Sequence, residues 1–369
     1  MKTKAAVVPE INKLVIETVE LEPPKAGEVL VRMRAAGVCH SDLHTYRGEL
    51  RAVPPLVLGH EGAGIVEEVG AGVTHLKPGD PVLVNWLPAC GSCPNCLNGH
   101  PNICQRLADT VFVGMLLDGT SRIKDQRGEP IKHYLGAATM SEFIVIDQAS
   151  AIPIPNDVPF DVAAIIGCAV ATGVGAVINT ARATAGSSAA IIGCGGIGLS
   201  AIQGCRLAGC HPIVAIDVIN EKLEFAKNSG ATHTINAAEE KVIKALYQII
   251  PNRPDYVIDS VGSAKTIPQA LQAARPGGTA VIVGLHSVKD EVPISSASLI
   301  FENKRLLGSF VGSINPQLDL PKLVNLYRAG KLQLDQLITN RYSLNELPAA
   351  FEAMEAGSIA GRGVIMFDQ

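Results

Sequence analysis

One short stretch constrains the fold of this chain more than any other. An apolar segment, residues 189–193, runs directly into Gly193-Cys194-Gly195-Gly196-Ile197-Gly198, and a helix-period segment follows over residues 197–208. In a G-x-G-x-x-G turn the first glycine permits the tight bend and the second lets backbone N–H groups approach a pyrophosphate. The third glycine allows the helix to pack closely on the strand. The stretch therefore predicts a dinucleotide-binding strand, turn and helix.

The segment after this turn indicates which dinucleotide fits. A second apolar strand is predicted to end at Asp217, 19 residues after Gly198, where a carboxylate can accept hydrogen bonds from an adenosine ribose. Val218 follows, and no arginine stands beside Asp217 to receive a 2′-phosphate. The sequence thus favours NAD over NADP.

The rest of the chain divides around this unit. From about residue 161 it alternates apolar strands with helix-period segments, and six such strands predict an α/β fold with a doubly wound parallel sheet. The first 150 or so residues consist of short strands separated by glycine and proline, which predicts an antiparallel β-rich domain. The last 60 residues are predicted to return to that first domain. We therefore expect one domain over residues 1–160 and 310–369, and a Rossmann dinucleotide-binding domain over residues 161–309.

Composition narrows the class of partner. The chain is 47% hydrophobic, 18% charged and carries a formal net charge of −4, so no basic surplus favours nucleic acid or anionic lipid. Two uncharged stretches, residues 162–181 and 183–205, are long enough to span a membrane, but their glycines and polar residues fit a buried helix and the dinucleotide turn better. The first ten residues lack the apolar core of a secretory signal. We expect a cytoplasmic enzyme that acts on small molecules.

Four of the nine cysteines form a dense cluster, Cys90-x2-Cys93-x2-Cys96-x7-Cys104. Four thiolates within fifteen residues suit a tetrahedral Zn²⁺ with no open position, which is a structural site. A bacterial iron–sulfur motif would have three residues before its last cysteine and a proline after it. Here seven residues intervene and Gln105 follows, so zinc is favoured.

Three further metal-competent residues, Cys39, His60 and Cys168, are dispersed along the chain. Each alone is typical of a buried structural residue. A catalytic zinc needs three protein ligands and an exchangeable position, and spacing alone leaves open whether these three converge.

With these motifs together, the sequence resembles the zinc-dependent alcohol dehydrogenases of the medium-chain dehydrogenase/reductase superfamily along essentially its whole length. That family's G-H-E-x-x-G signature is present as Gly59-His60-Glu61-Gly62-Ala63-Gly64. The resemblance implies a GroES-like β-rich catalytic domain beside a six-stranded Rossmann domain. It also implies oxidation of a primary aliphatic or aromatic alcohol to its aldehyde, and the reverse, with NAD and two Zn²⁺ per chain.

The resemblance assigns roles to individual residues. Cys39, His60 and Cys168 would bind the catalytic zinc, and Cys90, Cys93, Cys96 and Cys104 the structural zinc. Asp42 would orient His60, and Glu61 would place a carboxylate behind the metal. Ser41 and His44 match the family's proton relay, in which the hydroxyl passes the alcohol proton through the nicotinamide ribose to the histidine.

Cofactor and substrate contacts follow from the same resemblance. The residues implied for NAD are His40, Thr172, Gly193, Gly195, Gly196, Ile197, Gly198, Asp217, Lys222 and Arg362, with Arg362 on the pyrophosphate. His40 stands where some members of the family carry an arginine. The residues implied for an apolar substrate pocket are Leu50, Trp86, Tyr134, Leu135, Leu285 and Phe310.

Three alternative functions were considered beside alcohol oxidation, together with the oligomeric state. The glutathione-dependent formaldehyde dehydrogenases of the family bind glutathione through charged residues, and Gly48, Leu50 and Ala108 at the matching places disfavour that activity. A nicotinoprotein that retains its NAD is a close alternative, and a non-catalytic zinc- and dinucleotide-binding redox sensor is a more distant one. We expect a homodimer or a homotetramer.

Overall fold

Two units make up the chain in the computed structural model, which describes residues 1–50, 53–285 and 291–368. Unit 1 comprises Met1–Cys168, Asn315–Gly330 and Leu334–Gln369. Unit 2 comprises Ala169–Ile314 and Lys331–Gln333. The chain therefore passes between units after residues 168 and 314, whereas the sequence predicted boundaries after residues 160 and 309.

Unit 1 begins with short strands separated by turns, as the spacing of glycine and proline predicts. The first ten strands are β1 (Lys2–Glu10), β2 (Lys13–Leu21), β3 (Glu28–Val38), β4 (Leu56–Val57), β5 (Gly62–Val69), β6 (Pro81–Val84), β7 (Ile123–Lys124), β8 (Pro130–His133), β9 (Phe143–Asp147) and β10 (Ala151–Pro153). Three short helices lie among them: α1 (His40–Tyr46), α2 (Pro94–Leu97) and α3 (Arg106–Asp109). Strands β1, β2, β7, β8 and β4 close a small barrel, filled by apolar side chains such as Val7, Val57 and Ile131.

A long apolar helix, Phe160–Ala181, carries the chain from unit 1 into unit 2. Its first segment, α4 (Phe160–Ile165), packs against β3 and β5 of unit 1. A π-helical turn at residues 166–170 separates it from α5 (Ala171–Gly175). The helix is long and apolar enough to cross a membrane, but 94% of its most apolar window is buried inside the fold. Its burial is that of a core helix, as the sequence predicted.

Unit 2 is built on a parallel sheet. Its strands are β11 (Ala189–Ile192), β12 (Ile213–Asp217), β13 (His233–Asn236), β14 (Tyr256–Asp259), β15 (Thr279–Ile282) and β16 (Arg305–Gly308). The spatial order β13-β12-β11-β14-β15-β16 is the order of a Rossmann fold. Its further helices are α6 (Gly196–Leu207), α7 (Asn220–Ser229), α8 (Val242–Ile249), α9 (Thr266–Ala273) and α10 (Ser296–Phe301). The predicted six-stranded Rossmann domain is confirmed.

Side-chain and backbone packing also explains why the chain leaves unit 2 only after residue 314. Residues 310–313 pack against α5 within unit 2. A Cβ added to Gly175 would lie only 2.4 Å from the carbonyl oxygen of Gly312, so this contact requires a glycine. Residues 310–314 therefore belong with unit 2.

The last part of the chain returns to unit 1, as predicted. It forms α11 (Pro316–Arg328), β17 (Ile338–Tyr342), α12 (Leu347–Glu355) and β18 (Arg362–Met366). Strand β18 pairs with β3, which completes a seven-stranded sheet of order β10-β6-β5-β3-β18-β17, with β9 also paired to β3. The predicted α/β class with a GroES-like first domain is confirmed.

Candidate active site

Three metal-competent side chains that are far apart in the sequence meet in unit 1. Cys39 precedes α1, His60 precedes β5, and Cys168 lies in the π-helical turn of the long helix. Their ligand atoms and a carboxylate oxygen of Glu61 all lie within 4.8 Å of one another, and all four residues are buried. The structure thus brings together the three residues whose convergence the spacing alone had left open.

Asp42 anchors two of these ligands. Its Oδ1 accepts hydrogen bonds from His60 Nδ1 at 3.3 Å and from the backbone N–H of Gly59 at 3.0 Å. Its Oδ2 accepts the backbone N–H of Cys39 at 3.3 Å. Because Nδ1 of His60 is engaged by the carboxylate, Nε2 is the ring nitrogen that can bind a metal.

The side chains of this cluster are the types that bind zinc. A hydrogen bond from Cys168 lowers the pKa of the Cys39 thiol well below its usual value, although burial opposes the shift. The same contact, together with burial, raises the pKa of Cys168. A thiolate in a fully buried position needs a compensating positive charge, and two thiolates with one imidazole form the Cys2His donor set of a catalytic zinc.

Glu61 is held behind the cluster by an ion pair. Arg362, at the start of β18, donates from Nη2 to Glu61 Oε2, and both side chains are buried. Burial raises the pKa of Glu61 to about 7, although the charge of Arg362 opposes the shift. A Cβ added to Gly37 would lie 2.0 Å from Glu61 Oε2, so the carboxylate fits only against a glycine. The resemblance implies a pyrophosphate contact for Arg362, and this stays a prediction; in the structure its Nη2 pairs with Glu61.

The four-cysteine loop forms a second cluster. The sulfur atoms of Cys90, Cys93, Cys96 and Cys104 lie within 4.8 Å of one another, and all four residues are free cysteines. Cys93 Sγ lies 3.5 Å from Cys96 Sγ and 3.9 Å from Cys104 Sγ. A tetrahedral zinc with Zn–S bonds of about 2.3 Å requires sulfur separations of about 3.8 Å. The loop therefore has the geometry of a structural zinc site.

Backbone donors already face two of these sulfur atoms. The N–H of Cys93 donates to Cys90 Sγ and the N–H of Cys90 donates to Cys104 Sγ, each at 3.4 Å. Backbone N–H groups of Ser92 and Cys93 lower the pKa of Cys90 to about 6. The loop thus favours the thiolate form of Cys90, which is the form that binds metal.

The glycine turn of unit 2 has the predicted geometry. Gly193 has a φ of 89°. A Cβ added to Gly198 would lie 1.9 Å from the carbonyl oxygen of Gly193, so helix α6 could not approach the turn with any larger residue there. Gly195, by contrast, faces open space, as required where a pyrophosphate approaches the backbone.

Asp217 closes the turn at the end of β12. Its carboxylate accepts backbone N–H groups of Cys194 at 2.7 Å, Val218 at 2.7 Å and Ile219 at 3.1 Å. A cavity of about 540 Å³ opens beside it, with Gly193 and Asp217 among its lining residues. Of the other residues implied for NAD, Ile197 and Thr172 lie in α6 and α5, and Lys222 lies in α7.

The two residues matched to a proton relay lie on α1. Ser41 Oγ lies 3.7 Å from Cys39 Sγ, and His44 follows one turn later on the same side of the helix. The Tyr134 hydroxyl donates to the backbone carbonyl of Ser41 at 3.1 Å. His40 is exposed, with its ring 6.2 Å from that of His44.

Two aromatic rings of the predicted substrate set surround His60. Trp86 and Tyr134 are buried and contact the imidazole edge-on, with ring centroids 5.8 Å and 5.6 Å away. Leu135 follows Tyr134 in a left-handed conformation with φ 50°, and Leu50 is half-buried in unit 1. Leu285 and Phe310 are exposed side chains of unit 2.

Comparisons with known proteins agree with this geometry. Residues 25–156 match the family model of the alcohol dehydrogenase GroES-like domain, and residues 196–329 match that of the zinc-binding dehydrogenase. Alcohol dehydrogenase class-3 of Cereibacter sphaeroides is 40% identical to this chain over 378 residues, with 100% of both chains covered. The chain belongs to the zinc-dependent alcohol dehydrogenases. S-(hydroxymethyl)glutathione dehydrogenase of Paracoccus denitrificans is 38% identical, again over the whole of both chains.

Solved structures of other proteins are also similar to this alcohol dehydrogenase. Benzyl alcohol dehydrogenase from Acinetobacter calcoaceticus has a TM-score of 0.94 and 29% identity. An alcohol dehydrogenase zinc-binding domain protein from Burkholderia ambifaria has a TM-score of 0.95 and 32% identity. Both matches cover 100% of each chain. The enzyme is NAD-dependent, and its two cysteine-containing clusters fit the zinc ions that the sequence predicted.

Several residues at the dinucleotide site of this alcohol dehydrogenase were missed by the sequence reasoning. The cavity beside Asp217 is also lined by residues that follow β13 and β14, including Ala237, Lys241, Val261 and Lys265. In open α/β sheets, ligands bind beyond the carboxyl ends of the strands. The residues after each predicted strand could therefore have been included from topology alone.

Proposed function

We propose that this alcohol dehydrogenase oxidises primary aliphatic or aromatic alcohols to aldehydes, and catalyses the reverse reaction. The observation that supports this proposal is the environment of the Cys39, His60 and Cys168 cluster, where the buried rings of Trp86 and Tyr134 flank the imidazole. Apolar aromatic walls beside a metal-binding cluster suit an alkyl or benzyl group attached to a hydroxymethyl carbon. The benzyl alcohol dehydrogenase of Acinetobacter calcoaceticus shares the fold throughout.

Each residue of the site would have a separate role in the reaction. When bound, zinc supplies a Lewis acid that polarises the alcohol oxygen, and NAD accepts the hydride. Cys39, His60 and Cys168 would hold the metal, and Asp42 fixes the orientation of His60. Ser41 would take the alcohol proton and His44 would pass it outward, because a closed site would exclude bulk water from the alcohol oxygen.

A second candidate substrate is the adduct of glutathione and formaldehyde. The relatives from Cereibacter sphaeroides and Paracoccus denitrificans carry names that denote this class or this substrate. Recognition of glutathione carboxylates requires charged side chains, and the resemblance implies that Gly48, Leu50 and Ala108 stand at the corresponding places. We therefore favour free alcohols.

Kinetics with purified zinc-loaded enzyme test these assignments. Ethanol, butanol and benzyl alcohol are assayed with NAD and with NADP, beside formaldehyde mixed with glutathione. We expect the highest kcat/KM for a primary alcohol with NAD. A higher kcat/KM for the glutathione adduct would refute the proposal in favour of the second candidate.

Two controls in the same experiment separate the remaining alternatives. A nicotinoprotein would retain NAD through desalting and turn over only with an artificial electron acceptor. A non-catalytic sensor would bind NAD and zinc without turnover of any alcohol. Free exchange of NAD with turnover of added NAD supports the dehydrogenase.

We also propose a cytoplasmic homodimer or homotetramer. Strand β16 lies at the edge of the described sheet, and Ile300 and Phe301 of the neighbouring α10 are 72% and 87% exposed. An open edge strand beside exposed apolar side chains is a surface that a second copy can cover. Light scattering during size-exclusion chromatography measures the mass, and a monomer of 38.7 kDa would refute the proposal.

A further inference from the structure

The carboxylate of Glu49 contacts His44, the second of the two residues matched to the proton relay. Glu49 Oε2 forms a hydrogen-bonded ion pair with Nδ1 of His44. The backbone reinforces this pairing, because the N–H of Glu49 donates to the carbonyl oxygen of His44 at 2.8 Å. Gly48 between them has a φ of 73°, which lets the chain turn back after α1 and bring Glu49 against the helix.

This contact determines which ring nitrogen of His44 carries the proton. An ionised carboxylate can only accept hydrogen bonds, so a neutral His44 paired with it has its proton on Nδ1. Nε2 then carries the lone pair and can act as a base. When Nε2 takes up a proton, Nδ1–H keeps its hydrogen bond to Glu49.

We propose that Glu49 is a positioning residue of the proton relay. Its carboxylate fixes the His44 tautomer that leaves Nε2 free to accept the proton released from the alcohol. Bound NAD would supply the hydride acceptor, and the proton would pass to Nε2 and then leave to water. This inference rests on the proposed function, because only alcohol oxidation supplies that proton.

A second ion pair beside helix α1 provides a matched control for the pair of His44 and Glu49. The exposed ring of His40 lies 6.2 Å from that of His44. Arg47, immediately after α1, forms an ion pair with Glu355 of α12. The side chains of that pair are 39% and 36% exposed, compared with 23% and 42% for His44 and Glu49. Glu355→Gln therefore removes a comparable ion pair beside the same helix and leaves the His44 contact intact.

Kinetics on the zinc-loaded enzyme test the proposal. Glu49→Gln keeps the size of the side chain but removes its charge and no longer fixes the tautomer. We expect kcat/KM for benzyl alcohol to fall about ten- to hundredfold, by analogy with the loss of a carboxylate that orients a metal-binding histidine. Glu49→Asp should recover part of the loss, and Glu355→Gln should match the wild type. Equal kcat/KM for Glu49→Gln and Glu355→Gln would overturn the proposal.

A double variant shows whether Glu49 acts through His44. Glu49→Gln combined with His44→Ala should be no slower than His44→Ala alone, because the carboxylate has nothing left to orient. A general structural role would give losses that multiply. Multiplied losses would therefore count against the proposal.

Nitrogen NMR of labelled histidine gives a readout that does not depend on turnover. The wild type should show neutral His44 protonated on Nδ1, and Glu49→Gln should shift the population towards the Nε2–H tautomer. An Nε2–H tautomer in the active wild-type enzyme would overturn the role of Glu49 alone. An enzyme that oxidises no alcohol would instead refute the proposed function, and the relay with it.

Discussion

Substitution of Asp42 by asparagine tests whether the hydrogen bonds that this carboxylate accepts support the buried metal-binding cluster. The change preserves volume but converts one of two acceptor oxygens into an NH₂ donor. Oδ1 now accepts two N–H groups, from His60 and Gly59, and Oδ2 accepts one, from Cys39. Whichever way the amide turns, its NH₂ must therefore face at least one buried N–H.

The magnitude follows from that count. A buried donor that loses its partner costs about 1–3 kcal/mol; because zinc holds Cys39 in place while the zinc-free cluster can relax to pair this N–H again, that cost corresponds to about 5- to 150-fold in the zinc-binding constant. The amide would turn so that only the Cys39 N–H is lost, which keeps its oxygen on His60. We therefore expect the zinc affinity of this cluster, and alcohol turnover with it, to fall about ten- to hundredfold.

Competition against a chromophoric zinc chelator measures this loss. The four-cysteine loop of the same molecule serves as an internal reference, since Asp42 lies outside it. Asp80→Asn is the control, because Asp80 also accepts a backbone N–H three residues away, that of Lys77, but on an exposed turn. If Asp42→Asn binds zinc as tightly and turns over alcohol as fast as Asp80→Asn, the reasoning is wrong.

Three further predictions concern the other sites. Cys93→Ala should lower the melting temperature and leave about one zinc per chain, since a structural zinc contributes folding energy; an equally heat-stable variant with two zinc ions would contradict this. Asp217→Ala should raise KM for NAD more than KM for NADP: the loss of three backbone hydrogen bonds at the turn affects both cofactors, and the carboxylate would in addition bind the ribose hydroxyls of NAD; an equal rise for both would contradict the ribose role. In the zinc-free protein, alkylation of Cys90 by iodoacetamide should increase through about pH 6, where its thiolate forms, and an inflection near pH 9 would exclude the backbone effect.

The sequence predicted the parallel sheet well because its signals are local. Strands buried on both faces are continuous apolar runs, and the apolar segment predicted at residues 189–193 contains β11, Ala189–Ile192. Strand β1, Lys2–Glu10, and the two-residue strand β4 were not predicted. Such strands gain their stability from pairing partners elsewhere in the barrel, and pairing of that kind leaves little trace in a local pattern.

The candidate site shows the same division. The four cysteines of the loop could be assigned from spacing because their geometry is set within fifteen residues. The convergence of Cys39, His60 and Cys168 depends on three separate segments, so only the fold brings them together. The ion-pair partners of charged side chains were harder still to predict. Nothing in the sequence indicated that Arg362 pairs with Glu61 or that Glu49 pairs with His44.

The ion pair between Glu61 and Arg362 also bears on the order in which the sites mature during synthesis. The two residues are 301 positions apart, and strand β18, which carries Arg362, is the last described element to leave the ribosome. The four-cysteine loop has all its ligands by Cys104 and can take up zinc on the nascent chain. The catalytic cluster has its three ligands by Cys168, yet the carboxylate beside them lacks its counter-charge until strand β18 has been synthesised. Metal loading of the two sites should therefore be separated in time, with the catalytic centre reaching its final form last.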